Sequence, residues 1–198
     1  NTYGATKLLM ERLFVSANYY KGNHKIRFIC VRYGNVLGSR GSLVPTLVGQ
    51  IQSGKKITIT DPEMTRFNIT MNEALMLILR AIKKGKGGEI FVPKLKAYKV
   101  KDMKDAIVEL LKSKNKTEII SIRPGEKFHE SLIIKDEIRN TYENKEDYVT
   151  FEKETQEHGL LPEFKKSKLI DQYSSDRVEL LAKNELKQIL MREKLVVI

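Results

Sequence analysis

An α/β fold is what this sequence predicts, because stretches of helical periodicity alternate with short apolar, β-branched runs along the chain. Two observations sharpen it. The run Lys25 to Tyr33 is rich in Ile, Phe and Val and reads as a buried strand. It leads into a loop, Gly34 to Ser42, that carries three glycines. Loops beyond the carboxyl ends of strands are where open α/β sheets bind ligands.

The remaining elements follow in order. Leu8, Leu9, Leu13, Phe14 and Ala17 fall at helical spacing from the first residues and fade near Lys21-Gly22-Asn23. With no initiator Met and no leader before this helix, the chain reads as the inside of a longer protein. Val44 to Gln52 reads as a helix and Lys56 to Thr60 as a short strand, which Asp61-Pro62 ends in a turn. Asn72 to Lys84 is an expected helix, with Asn72 or Thr70 as its cap, and Gly87-Gly88 resets the chain into a strand over Glu89 to Pro93. Val100 to Ser113 is amphipathic, with Met103, Ala106, Ile107, Leu110 and Leu111 inward, and Glu118 to Ile122 is a strand. Beyond Ser131 the pattern weakens to short strands at Leu132 to Ile134 and Tyr148 to Phe151. An irregular polar segment from Glu157 to Tyr173 follows, then a last helix over Val178 to Glu193 capped by Ser174, Ser175 or Asp176.

Composition narrows the class. In 198 residues, 41% hydrophobic content is enough for a core, and no apolar run approaches the roughly 20 residues that span a bilayer. The single cysteine, Cys30, cannot form an internal disulfide, and its apolar flanks suggest a buried strand residue in a reducing, cytoplasmic setting; a reactive thiol is the alternative. A net charge of +11 raises nucleic acid as a partner, but the lysines are scattered and no aromatic stripe or nucleic-acid motif accompanies them. The same charge suits a diphosphate-bearing small substrate. His129 lacks companion ligands at usable spacing and reads as structural, His24 and His158 read as surface residues, and no metal is expected.

Several polar groups carry chemistry. Tyr3 and Lys7 are four residues apart, so on a helix they share a face, and a neighbouring ammonium favours a phenolate that serves as general acid or base. Arg32, Tyr33 and Asn35 end a strand and enter the glycine loop, where a backbone and an amide side chain approach a diphosphate or sugar closely. Arg66 follows a turn and has the planar fork that suits a phosphate. Arg123 and Glu126 flank a Pro-Gly turn, with the carboxylate free for ribose hydroxyls or paired to Lys127.

In order along the chain, five stretches resemble the extended short-chain dehydrogenase/reductases, and most of all the UDP-N-acetylglucosamine 4,6-dehydratases of polysaccharide biosynthesis. They are Asn1-Thr-Tyr-Gly-Ala-Thr-Lys7, Val31 to Ser42, Ile59 to Phe67, Gly87 to Pro93 and Ile122 to Glu130. The resemblance covers residues 1 to about 135. It implies the C-terminal part of a doubly wound NAD(P)-binding Rossmann-type domain plus a small α/β substrate lobe. Residues 1–135 hold the partial Rossmann-type domain interleaved with that lobe, and residues 136–198 form a C-terminal extension. It also implies NADP (or NAD) as a temporary hydride store and a UDP-sugar as substrate. Tyr3 would be the C4 acid/base and Lys7 its partner, both contacting the cofactor, with Tyr33, Gly34 and Asn35 near the nicotinamide. Asn35, Ser42, Val44, Pro45, Arg66, Arg123 and Glu126 would hold the substrate. Tyr3, where relatives of the retaining type often carry Met, favours the C5-inverting type.

The family's glycine-rich phosphate loop and its elimination acid/base motif have no counterpart here and are expected upstream of Asn1. The 198 residues alone are therefore expected not to turn over, and the intact protein is expected to be a homo-oligomer. A UDP-sugar 4-epimerase of the same superfamily is the nearest rival. A basic, non-catalytic module for nucleic acid or anionic polysaccharide is the alternative of a different class.

Overall fold

The computed structural model describes residues 2–152 and 162–196; Asn1, His158 and the beginning of the polar segment from Glu157 lie outside them. In chain order the elements are α1 (Thr2–Tyr20), β1 (Cys30–Val31), α2 (Leu43–Gln52), β2 (Ile57–Ile59), β3 (Thr65–Phe67) and α3 (Met71–Lys84). Next come β4 (Ile90–Pro93), β5 (Ala97–Lys99), α4 (Val100–Leu110), β6 (Thr117–Ile119) and β7 (Ser131–Ile133). A 3-10 helix (Lys135–Asn140), β8 (Thr141–Glu143), β9 (Asp147–Thr150), β10 (Lys165–Lys166), β11 (Tyr173–Ser174) and α5 (Lys183–Arg192) complete it. No helix among the described residues is long and apolar enough to cross a membrane.

The chain passes five times between two compact units. The first takes Asn1–Tyr33, Asn72–Lys94 and Ser131–Tyr173, and the second takes Gly34–Met71, Leu95–Glu130 and Ser174–Ile198. In the first unit a five-stranded sheet runs β1-β4-β9-β8-β10. Only the β1–β4 pair is parallel, with Cys30 opposite Ile90; the others are antiparallel. Leu77 and Ala81 of α3 pack with Phe91, Val149, Phe151 and Phe164 to form its core. Arg80 adds a two-pronged ion pair, donating at 2.7 and 2.6 Å to Asp147, whose side chain is fully buried.

In the second unit β2 pairs with β6 in parallel and β3 with β5 antiparallel. Helices α2, α4 and α5 close over them around Leu47, Ile57, Met103, Ile107, Leu186 and Leu190, all buried. The i, i+4 spacing of Met103 and Ile107 on α4 and of Leu186 and Leu190 on α5 turns one face of each helix into this core.

Three differences from the sequence reading have physical causes. The expected strand Lys25 to Tyr33 is regular only at Cys30–Val31, although hydrogen bonds along one edge run from the Phe28 carbonyl through Cys30 N–H to Arg32 N–H, with Gly88, Glu89 and Phe91 as partners, only the last of them within the short β4. The final helix begins at Lys183 rather than Val178, because Leu180 bridges Ala97 and the Glu179 carbonyl and Leu181 N–H bond to that residue. Its first turn is closed by Glu185, which accepts from Ala182 N–H, while Ser175 is buried elsewhere. Thr65–Phe67, read only as the stretch that follows a turn, is a strand because Ala97–Lys99 lies opposite it.

Candidate functional site

Tyr3 and Lys7 stand on α1 in the first unit, where the helical repeat places them on one face, and the Lys7 Nζ is 5.2 Å from the centre of the Tyr3 ring. Both are exposed, Tyr3 to 71%. Thr6 Oγ1 donates to the Tyr3 carbonyl and adds a side-chain bond to the first turn. Tyr33 is exposed just past the end of β1 in the same unit.

Arg32, read from sequence as a candidate for a diphosphate, is committed within the protein. Its Nε and Nη2 donate to Glu11 of α1 at 2.6 Å each, and Nη1 and Nη2 donate to Glu137 at 2.8 and 2.7 Å. Nη1 also donates to the Leu132 carbonyl at 2.9 Å. Burial works against its charge, but the two carboxylates outweigh burial and raise its pKa. The same contact holds the Glu137 carboxyl low despite burial. Both edges of the guanidinium are occupied, so it has no fork to offer a phosphate.

The second unit holds the other candidates. Gly34 is tight: a Cβ there would sit 2.9 Å from Phe67 Cβ and 3.3 Å from Glu130 Oε2. Asn35 beside it is exposed. Ser42 precedes α2, and its Oγ is buried with no hydrogen-bond partner. Val44 is buried in the core at 1% exposure, which leaves only its backbone to meet a ligand, and Pro45 is half-buried.

Arg66 of β3 and Glu126 of the Pro-Gly turn come together at 3.6 Å. Arg66 Nη1 also donates to the carbonyls of Thr65 and Phe128, at 2.8 and 3.1 Å. Glu126 accepts from Thr60 Oγ1 at 3.1 Å and from the backbone N–H of Arg123 at 3.3 Å. Positive φ at Gly125 lets this turn close. Arg123 is exposed, so the group presents one held guanidinium, one held carboxylate and one free-standing cation. That set can bind a phosphate and a hydroxyl pair together.

Sequence reasoning missed what supports this group. Glu130 accepts from Phe67 N–H at 2.8 Å and lies 3.9 Å from Arg66 Nε. Burial pushes its carboxyl up, against the pull of Phe67 N–H and Arg66. Thr65 Oγ1 lies 2.8 Å from His129 Nδ1 and 2.6 Å from Ser175 Oγ, and Ser175 Oγ accepts from Glu130 N–H. A serine 110 positions from its threonine leaves no sequence signal. His24 is exposed, and among the described residues no group of three His, Cys, Asp or Glu is arranged to hold a metal.

A family described as polysaccharide biosynthesis protein matches residues 1–152. Among curated relatives, a protein named uncharacterized membrane protein MJ1061, from Methanocaldococcus jannaschii, is 43% identical over 96% of this chain and 57% of its own length. The UDP-N-acetylglucosamine 4,6-dehydratase (inverting) of Campylobacter jejuni is 46% identical over 72% of this chain and 42% of its own. A UDP-glucose 4-epimerase from Rickettsia canadensis is 34% identical over 96% and 57%. The chain thus spans about half the length of the curated relatives it matches. The X-ray structure of Pen from Bacillus thuringiensis superposes with TM-score 0.87 at 39% identity, covering 99% of this chain and 58% of that one. UDP-glucuronic acid 4-epimerase from Bacillus cereus, solved with UDP-glucuronic acid and NAD, gives TM-score 0.55 at 25% identity, over 64% of this chain and 41% of that one.

Proposed function

The chain belongs to the polysaccharide biosynthesis protein family, and from that premise we propose that the full-length protein is a nucleotide-sugar 4,6-dehydratase acting on UDP-N-acetylglucosamine. The observation that carries the reading is the Tyr3–Lys7 pair, a phenol and an ammonium on one exposed helical face. Identity of 46% to the Campylobacter jejuni inverting dehydratase supports the substrate and the C5-inverting outcome.

In this reading Tyr3 Oη takes the proton of the sugar C4 hydroxyl as that carbon is oxidised to the ketone the product keeps, and a proton delivered to C5 as C6 is reduced balances it. Lys7, whose Nζ stands 5.2 Å from the centre of the Tyr3 ring, offers an ammonium to ribose hydroxyls. Those two donors fit a nicotinamide nucleotide, NADP or NAD, and Tyr33, Gly34 and Asn35 are assigned to it as well. When bound, that group supplies a reversible hydride acceptor. Arg66, Arg123 and Glu126, with Asn35, Ser42, Val44 and Pro45, are assigned to the UDP-sugar. Glu126 suits ribose hydroxyls and Arg123 a phosphate, with Arg66 neutralising what the carboxylate leaves. Oxidation at C4 would be balanced by reduction at C6, with water leaving across C5 and C6, so the overall reaction would be redox-neutral. No residue of this chain is assigned to the elimination, so the isolated 198 residues are not expected to turn over.

A 4-epimerase is the second reading, favoured by the Rickettsia relative, which aligns over 96% of the chain against 72% for the dehydratase. Incubating the full-length protein with UDP-N-acetylglucosamine and NADP or NAD decides it. A product lacking one water and carrying a 4-keto-6-deoxy sugar by NMR is expected. The C4 epimer as sole product rejects the dehydratase.

A further inference from the structure

Helix α1 carries the proposed catalytic pair, yet it is held to its own unit by few groups. Thr2 through Met10 are all exposed, and Val15 is the one residue of the helix that is buried. Further along, Asn18 exchanges two hydrogen bonds with the Phe28 backbone, at 2.8 and 3.1 Å. Arg12 bonds Glu152 at 2.9 Å from a side chain that is 40% exposed. The strongest attachment is Glu11, whose two oxygens receive Arg32 Nε and Nη2 at 2.6 Å each.

The placement of Glu11 matters. Tyr3, Lys7 and Glu11 are spaced four and four, so Glu11 sits on the same side of the helix, about 80° around from Tyr3 and about 6 Å along the axis from Lys7. Its partner is anchored from the sheet side. Arg32 N–H donates to the Phe91 carbonyl of β4, and its guanidinium is braced by Glu137 of the 3-10 helix and the Leu132 carbonyl. A two-pronged carboxylate–guanidinium contact fixes an angle as well as a distance, which a single hydrogen bond does not. Side-chain exposures of 11% for Glu11 and 17% for Arg32 keep water from competing for it.

We propose that Glu11 is a positioning residue: its two-pronged contact with Arg32 sets the rotation of α1 and so aims Tyr3 and Lys7. The inference rests on the role given to that pair above. Glu137 braces the same guanidinium from off the helix and meets α1 through Arg12, 3.6 Å away and 40% exposed, a looser contact than the two-pronged one that sets the rotation. An error of about 1 Å at reacting atoms costs up to about 100-fold in rate, so a loosened helix is felt in turnover.

The test compares E11Q and E137Q in the full-length protein, by hydrogen–deuterium exchange of the α1 amides and by steady-state kinetics. For E11Q the expectation is faster exchange over residues 2–10 and a kcat lowered about 10- to 100-fold, with KM for the UDP-sugar within about twofold. For E137Q the expectation is a lower unfolding temperature, with changes in α1 exchange and in kcat much smaller than those of E11Q. If E11Q does not fold, E11D, which keeps the charge and retracts it by one methylene, is expected to show the same changes at smaller amplitude. Wild-type exchange and kcat in E11Q, or in E11D where E11Q does not fold, overturn the inference. So does an equal loss in E137Q, since Arg32 would then act as a general anchor. Y3F separates this from the site assignment: full activity in Y3F removes the role of Tyr3 itself, whereas an inactive Y3F beside a normal E11Q removes only the positioning role.

Discussion

Glycine 34 and glycine 49 offer the same substitution with opposite expected signs. At Gly34 a Cβ would meet Phe67 Cβ at 2.9 Å, Glu130 Oε2 at 3.3 Å and the Phe67 carbonyl at 3.7 Å. Carbon atoms rest at about 3.5–4.0 Å, so the gap must open by about 0.6–1 Å. The Phe67 side chain cannot yield, because its Cβ is fixed to a strand that is hydrogen-bonded to β5 and the residue is fully buried. The Gly34–Asn35 loop must move instead. Overpacking of this kind costs about 1–3 kcal/mol. A shift of that size beside Asn35 lowers kcat/KM by about 10- to 100-fold if the loop meets the cofactor and sugar. Gly49 in α2 faces open space, so G49A is expected to stabilise by about 0.5–1 kcal/mol through helix propensity alone. Thermal unfolding and steady-state kinetics on G34A and G49A in the full-length protein check both. A G34A variant with wild-type stability and turnover would refute the steric argument, because nothing else at that position demands glycine.

Three further outcomes are expected. Arg80→Met strands the fully buried Asp147 carboxylate and lowers stability by about 3 kcal/mol, or about 6–12 °C in Tm, while the R80M/D147N pair recovers most of it; a loss below 1 kcal/mol for R80M would place the pair among ordinary surface contacts. Glu137, held below its ordinary value of 4.5, contributes stability above that pH that is lost as pH falls through its lower folded value, so the wild type weakens in acid and E137Q shows a flatter acid limb of Tm against pH. Burial chiefly, and Glu11 next, push the Cys30 thiol up to about 11 from 9.0, so native alkylation at pH 8 is expected about 100-fold slower than after unfolding in urea; equal rates would contradict it.

Much of the fold was legible because its signals are local. Helical spacing marks α2, α3 and α4 to within a few residues, and the apolar run before Pro93 marks β4. The strands that were missed are those whose regularity comes from a partner far along the chain. Ala97–Lys99 and Thr65–Phe67 are three residues each, without alternation strong enough to announce them, and each is a strand because the other lies beside it. The start of α5 was misplaced for the same reason, since its neighbour Ala97 holds Leu180 in an extended conformation.

The candidate residues divide similarly. The Tyr3–Lys7 relation and the chemistry of Arg66, Arg123 and Glu126 can be read from residue types and short spacings, because a helical turn or a Pro-Gly turn fixes their neighbours. Which charges are spent within the protein cannot be read that way. Arg32 and Arg66 look alike in sequence, each a cation next to an aromatic. Yet Arg32 closes on Glu11 and Glu137, 21 and 105 positions away, while Arg66 shares Glu126 beside an exposed turn. Local sequence therefore determined the elements and the reactive types of side chain. Tertiary structure alone decided which of them are buried, paired or exposed, because the energy of a charge depends on what surrounds it in space and not on what precedes it in the chain.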